Sequence, residues 1–165
     1  MAVDRTNILE QVLSAWRVHN RVQLLLVRAI SKQGLHAVPI GSRGRNVGRQ
    51  FAHMQKVRVG WLRFNGEKVE GLPVFPARVT PSRAQLKAAF TRSGKAVEIY
   101  IQKRLESGEK VKMFRGDVVR WMAYIIAHEA HHRGQIALTL KQNGMKLPEK
   151  VAVGDLWYKW YFGKA

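Results

Sequence analysis

Apolar residues recur three or four positions apart along most of the chain, the period of helices that bury one side. Ile8, Val12, Ala15, Trp16, His19, Val22, Leu26 and Ile30 predict a first helix running to about Lys32, capped by Asp4 or Thr6 and ended by Gly34. A loop with Pro39, Gly41 and Gly44 follows. Val47, Gln50, Met54, Val57, Trp61 and Phe64 mark one side of a second helix, from about Asn46 to Phe64. His53 lies on the border of that side, and Asn65-Gly66 closes the helix with residues that tolerate positive φ. From Glu67 to Thr80 the chain carries Gly71, Pro73 and Pro76, a connection long enough for a crossover between parallel helices. Thr80-Pro81 opens a third helix to about Leu105, with Leu86, Ala89, Phe90, Val97, Ile101 and Leu105 inward and Ser107-Gly108 as its stop. Asp117 caps a fourth, through Met122, Ile125, His128, His132, Ile136 and Leu140 to Asn143-Gly144, and Pro148 prevents its continuation.

The expected architecture is all-α: one domain spanning 1–165, a four-helix bundle with a long crossover between helices two and three. The tail, 145–165, carries Trp157, Trp160, Tyr161 and Phe162 and is expected to pack on the bundle or on a second subunit. No internal repeat or low-complexity segment interrupts this reading.

Composition narrows the chemistry. The chain has no cysteine, which removes disulfides, a thiolate metal site and a cysteine nucleophile, and fits a reducing cytoplasm. The N-terminus lacks the basic start and apolar run of a signal peptide, and the apolar stretch Val22 to Ile30 contains Gln23 and Arg28, so a soluble protein is expected. Twenty-nine Lys and Arg against eleven Asp and Glu give a formal charge of +18, a field that attracts polyanions generally. The cations are spread along the chain, densest at Arg43, Arg45 and Arg49, and no nucleic-acid motif accompanies them.

The informative segment is Ala127-His128-Glu129-Ala130-His131-His132-Arg133-Gly134-Gln135. Side chains four apart on a helix project from one face, so His128 and His132 can chelate one ion without backbone strain. Their face continues through Ile125 and Ile136 into the bundle, where buried imidazoles need partners. His131 turns about 100° away from His132 and belongs to the edge of that face. Among the remaining histidines, His53 is the best third ligand, being mid-helix with Val57 and Phe64 on its own face. Three imidazoles leave an open coordination position, the form a catalytic site takes.

Arg49-Gln50-Phe51-Ala52-His53, Val57-Arg58, Trp61-Leu62 and the run from Ala127 to Ile136 resemble the DinB superfamily of metalloproteins, as do Leu140 to Gly144 and the Trp157/Trp160 tail. That resemblance covers nearly the whole chain. It implies a four-helix bundle of up-down-down-up topology, a homodimer, and a divalent ion, zinc or nickel, on His53, His128 and His132. It also implies thiol-dependent S-transferase or isomerase chemistry for some members, with mycothiol, bacillithiol or glutathione as the thiol. Whether this chain turns over a substrate is left open by the resemblance.

His128-Glu129-Ala130-His131-His132 also satisfies H-E-x-x-H, the zinc-protease pattern with Glu129 as general base. Its usual extension fails, because Gln135 stands where glycine is needed and no third His follows. In the bundle reading Glu129 supports a ligand or lies on the surface. Arg58 or Arg133 is a candidate for holding an anionic co-substrate, against a salt-bridged surface role, and Asn20 and Trp16 are candidates for the pocket wall, against a core role. A metal-dependent hydrolase is a further possibility. The reading from another class is a non-catalytic metal-binding stress protein, or a basic protein associated with nucleic acid.

Overall fold

Capping residues and glycines set where each helix begins and ends in the computed structural model, which describes residues 5–162. Helix α1 spans Arg5–Ala29, α2 is the single turn Lys32–His36, α3 spans Val47–Phe64, α4 Arg83–Ser107 and α5 Val118–Gln142. A 3₁₀ turn, Phe114–Gly116, precedes α5, and a wide π-wound segment, Lys150–Tyr158, runs into the closing turn α6, Lys159–Phe162. All regular structure among the described residues is helical, and no helix there is long and apolar enough to cross a membrane.

Two boundaries depart from the sequence pattern. The first helix ends at Ala29 because Ser31 opens a new helix, its Oγ accepting from the Gly34 amide at 2.9 Å. Gly34 therefore sits inside α2, tight against Ile30 and Leu140, and does not terminate α1. Of the two proposed caps of α1, Thr6 lies within the helix and Asp4 falls outside the described residues. The cap of α4 is Ser82 in place of Thr80: Ser82 and Gln85 bond reciprocally to each other's backbone, a capping box. Thr80 instead accepts from Asn46 Nδ2 at 2.8 Å, tying the start of α3 to the end of the long connection. Asn46 also caps α3 through the Arg49 amide. The expected ends of α5 hold, with Asp117 Oδ1 accepting from Val119 and Arg120, and Asn143 closing the helix.

The core is two apolar clusters with a polar layer between them. One cluster gathers Val22, Leu26 and Ile30 of α1 with Phe51, Met54, Phe90, Ile136 and Leu140. The other gathers Trp16, Val59, Leu62, Val97, Tyr100, Trp121 and Ile125. Each large apolar side chain taken out of water contributes about 1.5–3 kcal/mol, and these clusters offset the cost of the layer they enclose. On every long helix the polar residues fall between the two apolar blocks: His19 and Asn20, Gln55 and Arg58, Ser93, and Glu129.

The aromatic tail packs only in part. Leu156 is buried and Trp160 lies against the first cluster, with its ring 6.3 Å from that of His19. Trp157, Tyr158, Tyr161 and Phe162 remain exposed.

Helix α1 approaches α4 closely at Gly94, whose carbonyl accepts from Trp16 Nε1 at 2.8 Å. A methyl added at Gly94 would overlap the Asn20 amide, whereas one added at Gly60 of α3 meets nothing. Gly94→Ala should therefore lower stability by about 1–3 kcal/mol through overpacking. Gly60→Ala should raise it by about 0.5–1 kcal/mol through helix propensity. Thermal unfolding of both variants checks the contrast, and equal effects would contradict the packing.

Candidate metal centre

The i, i+4 spacing on α5 places His128 and His132 one above the other, with ring centroids 4.7 Å apart. From α3, His53 meets both, at 5.2 Å from the His128 ring and 5.0 Å from that of His132. The rings stand edge to face around a common point, and one nitrogen from each lies within 4.8 Å of the others. Nε2 of His128 is 3.3 Å from Nε2 of His53. The structure thus brings together all three histidines singled out from the sequence.

Burial makes these imidazoles poor bases. His132 is pushed down to about 4 by burial and by the neighbouring His128 and His53. His53 is lowered by burial and then by the charge of Arg45, and His128 is lowered by burial. All three are consequently neutral near pH 7, with lone pairs free to bind. Nδ1 of His128 and of His132 is buried and has no protein partner. Neutral nitrogen donors without thiolate or carboxylate fit a borderline divalent ion such as zinc, nickel or copper.

The other histidines play different parts. His131 is exposed and bonds Gln135, its Nε2 2.9 Å from Gln135 Nε2, at the edge of the face as its spacing suggested. His36 is exposed. His19 is completely buried behind the site.

Arg58 and Glu129 overturn part of the sequence reading. Both are fully buried. Arg58 Nε and Nη2 donate to the two Glu129 oxygens at 2.5 and 2.7 Å, a bidentate pair, and Nη1 donates to Asn20 Oδ1 at 2.7 Å. Its guanidinium carbon lies 4.9 Å from the Trp16 ring centre and 4.7 Å from that of Phe90. Arg58 thus has no capacity left for an anionic co-substrate. Trp16 takes the core role that was its alternative, and Asn20, half-buried, is taken up by its bond to Arg58.

Burial alone would raise the Glu129 carboxyl, but the charge and hydrogen bonds of Arg58, with the bond to His19, bring it down to about 2. Glu129 is therefore a carboxylate, and the His19 Nε2 at 2.8 Å is the donor to it. With three donors already bound, Glu129 is no free general base, and the protease reading loses its central residue. Arg133 is half-buried beside this network, its pKa lowered by burial.

The side of the centre away from the network is open. A cleft of about 400 Å³ reaches His132 between α5 and the connection from α2 to α3. A cleft of similar size between α1 and α4, lined by Arg21, Leu24 and Arg83, touches none of the three histidines. Around His128, Tyr124 stacks on the imidazole and packs with Trp61 and Phe114; of this aromatic wall the sequence pattern singles out Trp61 alone.

Among known protein families, the model of the DinB family aligns with residues 1–160. No curated protein and no solved structure matches it.

Removing one member of a buried ion pair strands the other, at a cost of about 3–5 kcal/mol. Arg58→Met and Glu129→Gln should each lose stability on that scale in chemical denaturation, and the double variant should lose less than their sum. Losses that simply add would contradict a direct pair. Acid should act through the same groups. Glu129 moves from 4.5 unfolded to about 2 folded, so its stabilisation is complete above pH 4.5 and is lost as pH falls through about 2. His19 and His132 lie below their ordinary 6.5, so the unfolded chain takes their protons first as pH drops below that value. The thermal midpoint of the metal-free protein should therefore fall continuously from pH 7 to pH 2, with a shallower decline below pH 4.5 in Glu129→Gln. A midpoint independent of pH would contradict this assignment.

Proposed function

The chain belongs to the DinB family, and from that premise we propose that it is a metal-dependent enzyme acting on a small molecule, with a thiol as co-substrate. The observation that carries this reading is the convergence of three neutral imidazoles beside an open cleft. His53, His128 and His132 would hold one divalent ion, zinc or nickel, through one nitrogen each. When bound, the ion would supply Lewis-acid stabilisation of an anion in its open position, so that a nucleophile exists at neutral pH.

The residues of the chain do the remaining work. The bidentate Arg58–Glu129 pair ties α3 to α5, the two helices that carry the ligands, and so holds His53 against His128 and His132. Trp61, Phe114 and Tyr124 keep water from one flank of the His128 ring. The cleft at His132 admits substrate on the other flank. Hydrolysis of a small substrate is the alternative outcome of the same arrangement, with water in place of the thiol.

In this reading the four long helices form an up-down-down-up bundle, the active form is a cytoplasmic homodimer, and the exposed aromatics of the tail lie at its interface. The support for the dimer is the exposure of Trp157, Tyr158, Tyr161 and Phe162 on one short segment.

Elemental analysis of protein purified without chelator, or refilled with zinc or nickel, should find a single ion per chain. His53→Ala and His132→Ala should both lose it while keeping the helical circular dichroism of the parent. Absence of metal after refilling, or full occupancy in both variants, would overturn the centre. With cobalt in the site, a small thiol should change the visible absorption of the parent. An unchanged spectrum would leave hydrolysis as the chemistry.

A further inference from the structure

The cleft that reaches His132 has a one-sided chemistry. Arg45, Gln50, Gln135 and Ser42 are among its walls, and no carboxylate is among them. Arg45 is exposed and makes no hydrogen bond or ion pair among the described residues. It is nonetheless near enough to the centre for its charge to act on His53. Gln50, one turn before His53 on α3, is 4% exposed, and its Oε1 is buried without a partner. Buried amide groups are rarely left unpaired, because the lost hydrogen bond costs about 1–3 kcal/mol. Several other polar atoms there already have partners. Ser42 Oγ accepts from the Gly44 amide, Gln135 bonds His131, and Gln142 Oε1 accepts from the Ile40 amide.

Two groups stand out beside the histidines: one unpaired guanidinium and one buried, unpaired carbonyl oxygen. A single guanidinium matches a singly charged, planar acceptor. An unpaired carbonyl oxygen asks for an N–H or O–H donor.

We propose that this cleft is the seat of a small carboxylate-bearing ligand, with Arg45 binding the carboxylate and Gln50 accepting from an adjacent N–H. Resting on the function proposed above, this assigns the co-substrate to thiols that carry a free carboxylate and an amide N–H, and it makes Arg45 the residue that selects them. The ligand's sulfur would point toward His132, and its charged end toward the connection between α2 and α3. The seat itself does not depend on the sulfur.

The test uses the zinc-loaded protein and three probes: N-acetyl-L-cysteine, its uncharged amide N-acetyl-L-cysteinamide, and the sulfur-free N-acetyl-L-alanine. Nitrogen-15 NMR follows the Gln50 side-chain amide and the Arg45 backbone during each titration. N-acetyl-L-cysteine should bind about tenfold more tightly than the amide, the worth of one charge-assisted hydrogen bond. In Arg45→Gln, an exposed substitution that should leave thermal stability unchanged, the two thiols should bind alike. N-acetyl-L-alanine should shift the Gln50 signal in the parent and not in Arg45→Gln.

Equal binding of the two thiols to the parent, or no Gln50 shift with N-acetyl-L-alanine, would overturn the seat. If N-acetyl-L-alanine binds through Arg45 while the sulfur adds nothing, the seat stands and the thiol reading of the centre fails.

Discussion

The bidentate contact between Arg58 and Glu129 is the interaction on which the rest of the structure depends. A guanidinium and a carboxylate are fully buried here, and each is tolerable only because the other is present. The pair recruits a partner from every long helix: His19 and Asn20 from α1, Ser93 from α4, with α3 and α5 supplying the charges. Sliding any helix by one turn would set a charge against hydrocarbon and a hydrocarbon against the charge. Apolar packing tolerates such slips far better than buried ions do. The polar layer therefore fixes helix register, while the two apolar clusters supply the stability.

Register matters because the ligands sit at the same level. Glu129 directly follows His128, and Arg58 lies five positions after His53. Bonding the first to the second sets the height of α5 against α3, and with it the separation of the rings. The network and the histidines then face opposite ways: Glu129 points to a closed interior, His132 to an open cleft. Two electrostatic environments are built within one turn of one helix. In one a carboxylate stays ionised without water, and in the other imidazoles stay neutral beside it.

Much of this was legible in the sequence, and the reason is locality. The ends of α5 follow from Asp117 and Asn143-Gly144, which act on their own backbone. The histidine pair follows from i, i+4 geometry, and His53 from its mid-helix position. What escaped depends on neighbours distant in sequence. Nothing near Arg58 signals that Trp16 and Phe90 will flank it, and on a chain this basic one arginine resembles another. Glu129 carried a weak signal, as the single acidic residue between Val118 and Gln142, set between two inward histidines. The cap of α4 lies two residues beyond Thr80, because Thr80-Pro81 and Ser82 offer competing local solutions and the side chain of Asn46 engages Thr80. The spacing of Gln50 puts it on the inward side, but the lack of a partner for its oxygen depends on neighbours far away in sequence.

The centre and its rim come from different kinds of structure. The histidines stand on long helices locked by buried charge, whereas Ser42, Gly44 and Arg45 belong to the irregular stretch between α2 and α3. Loops accept substitution and insertion at little cost to the frame beneath them. Descendants of this chain could therefore change what they admit by rewriting ten residues, without disturbing the ion-holding geometry. A scaffold divided in this way keeps its chemistry constant while its appetite diversifies.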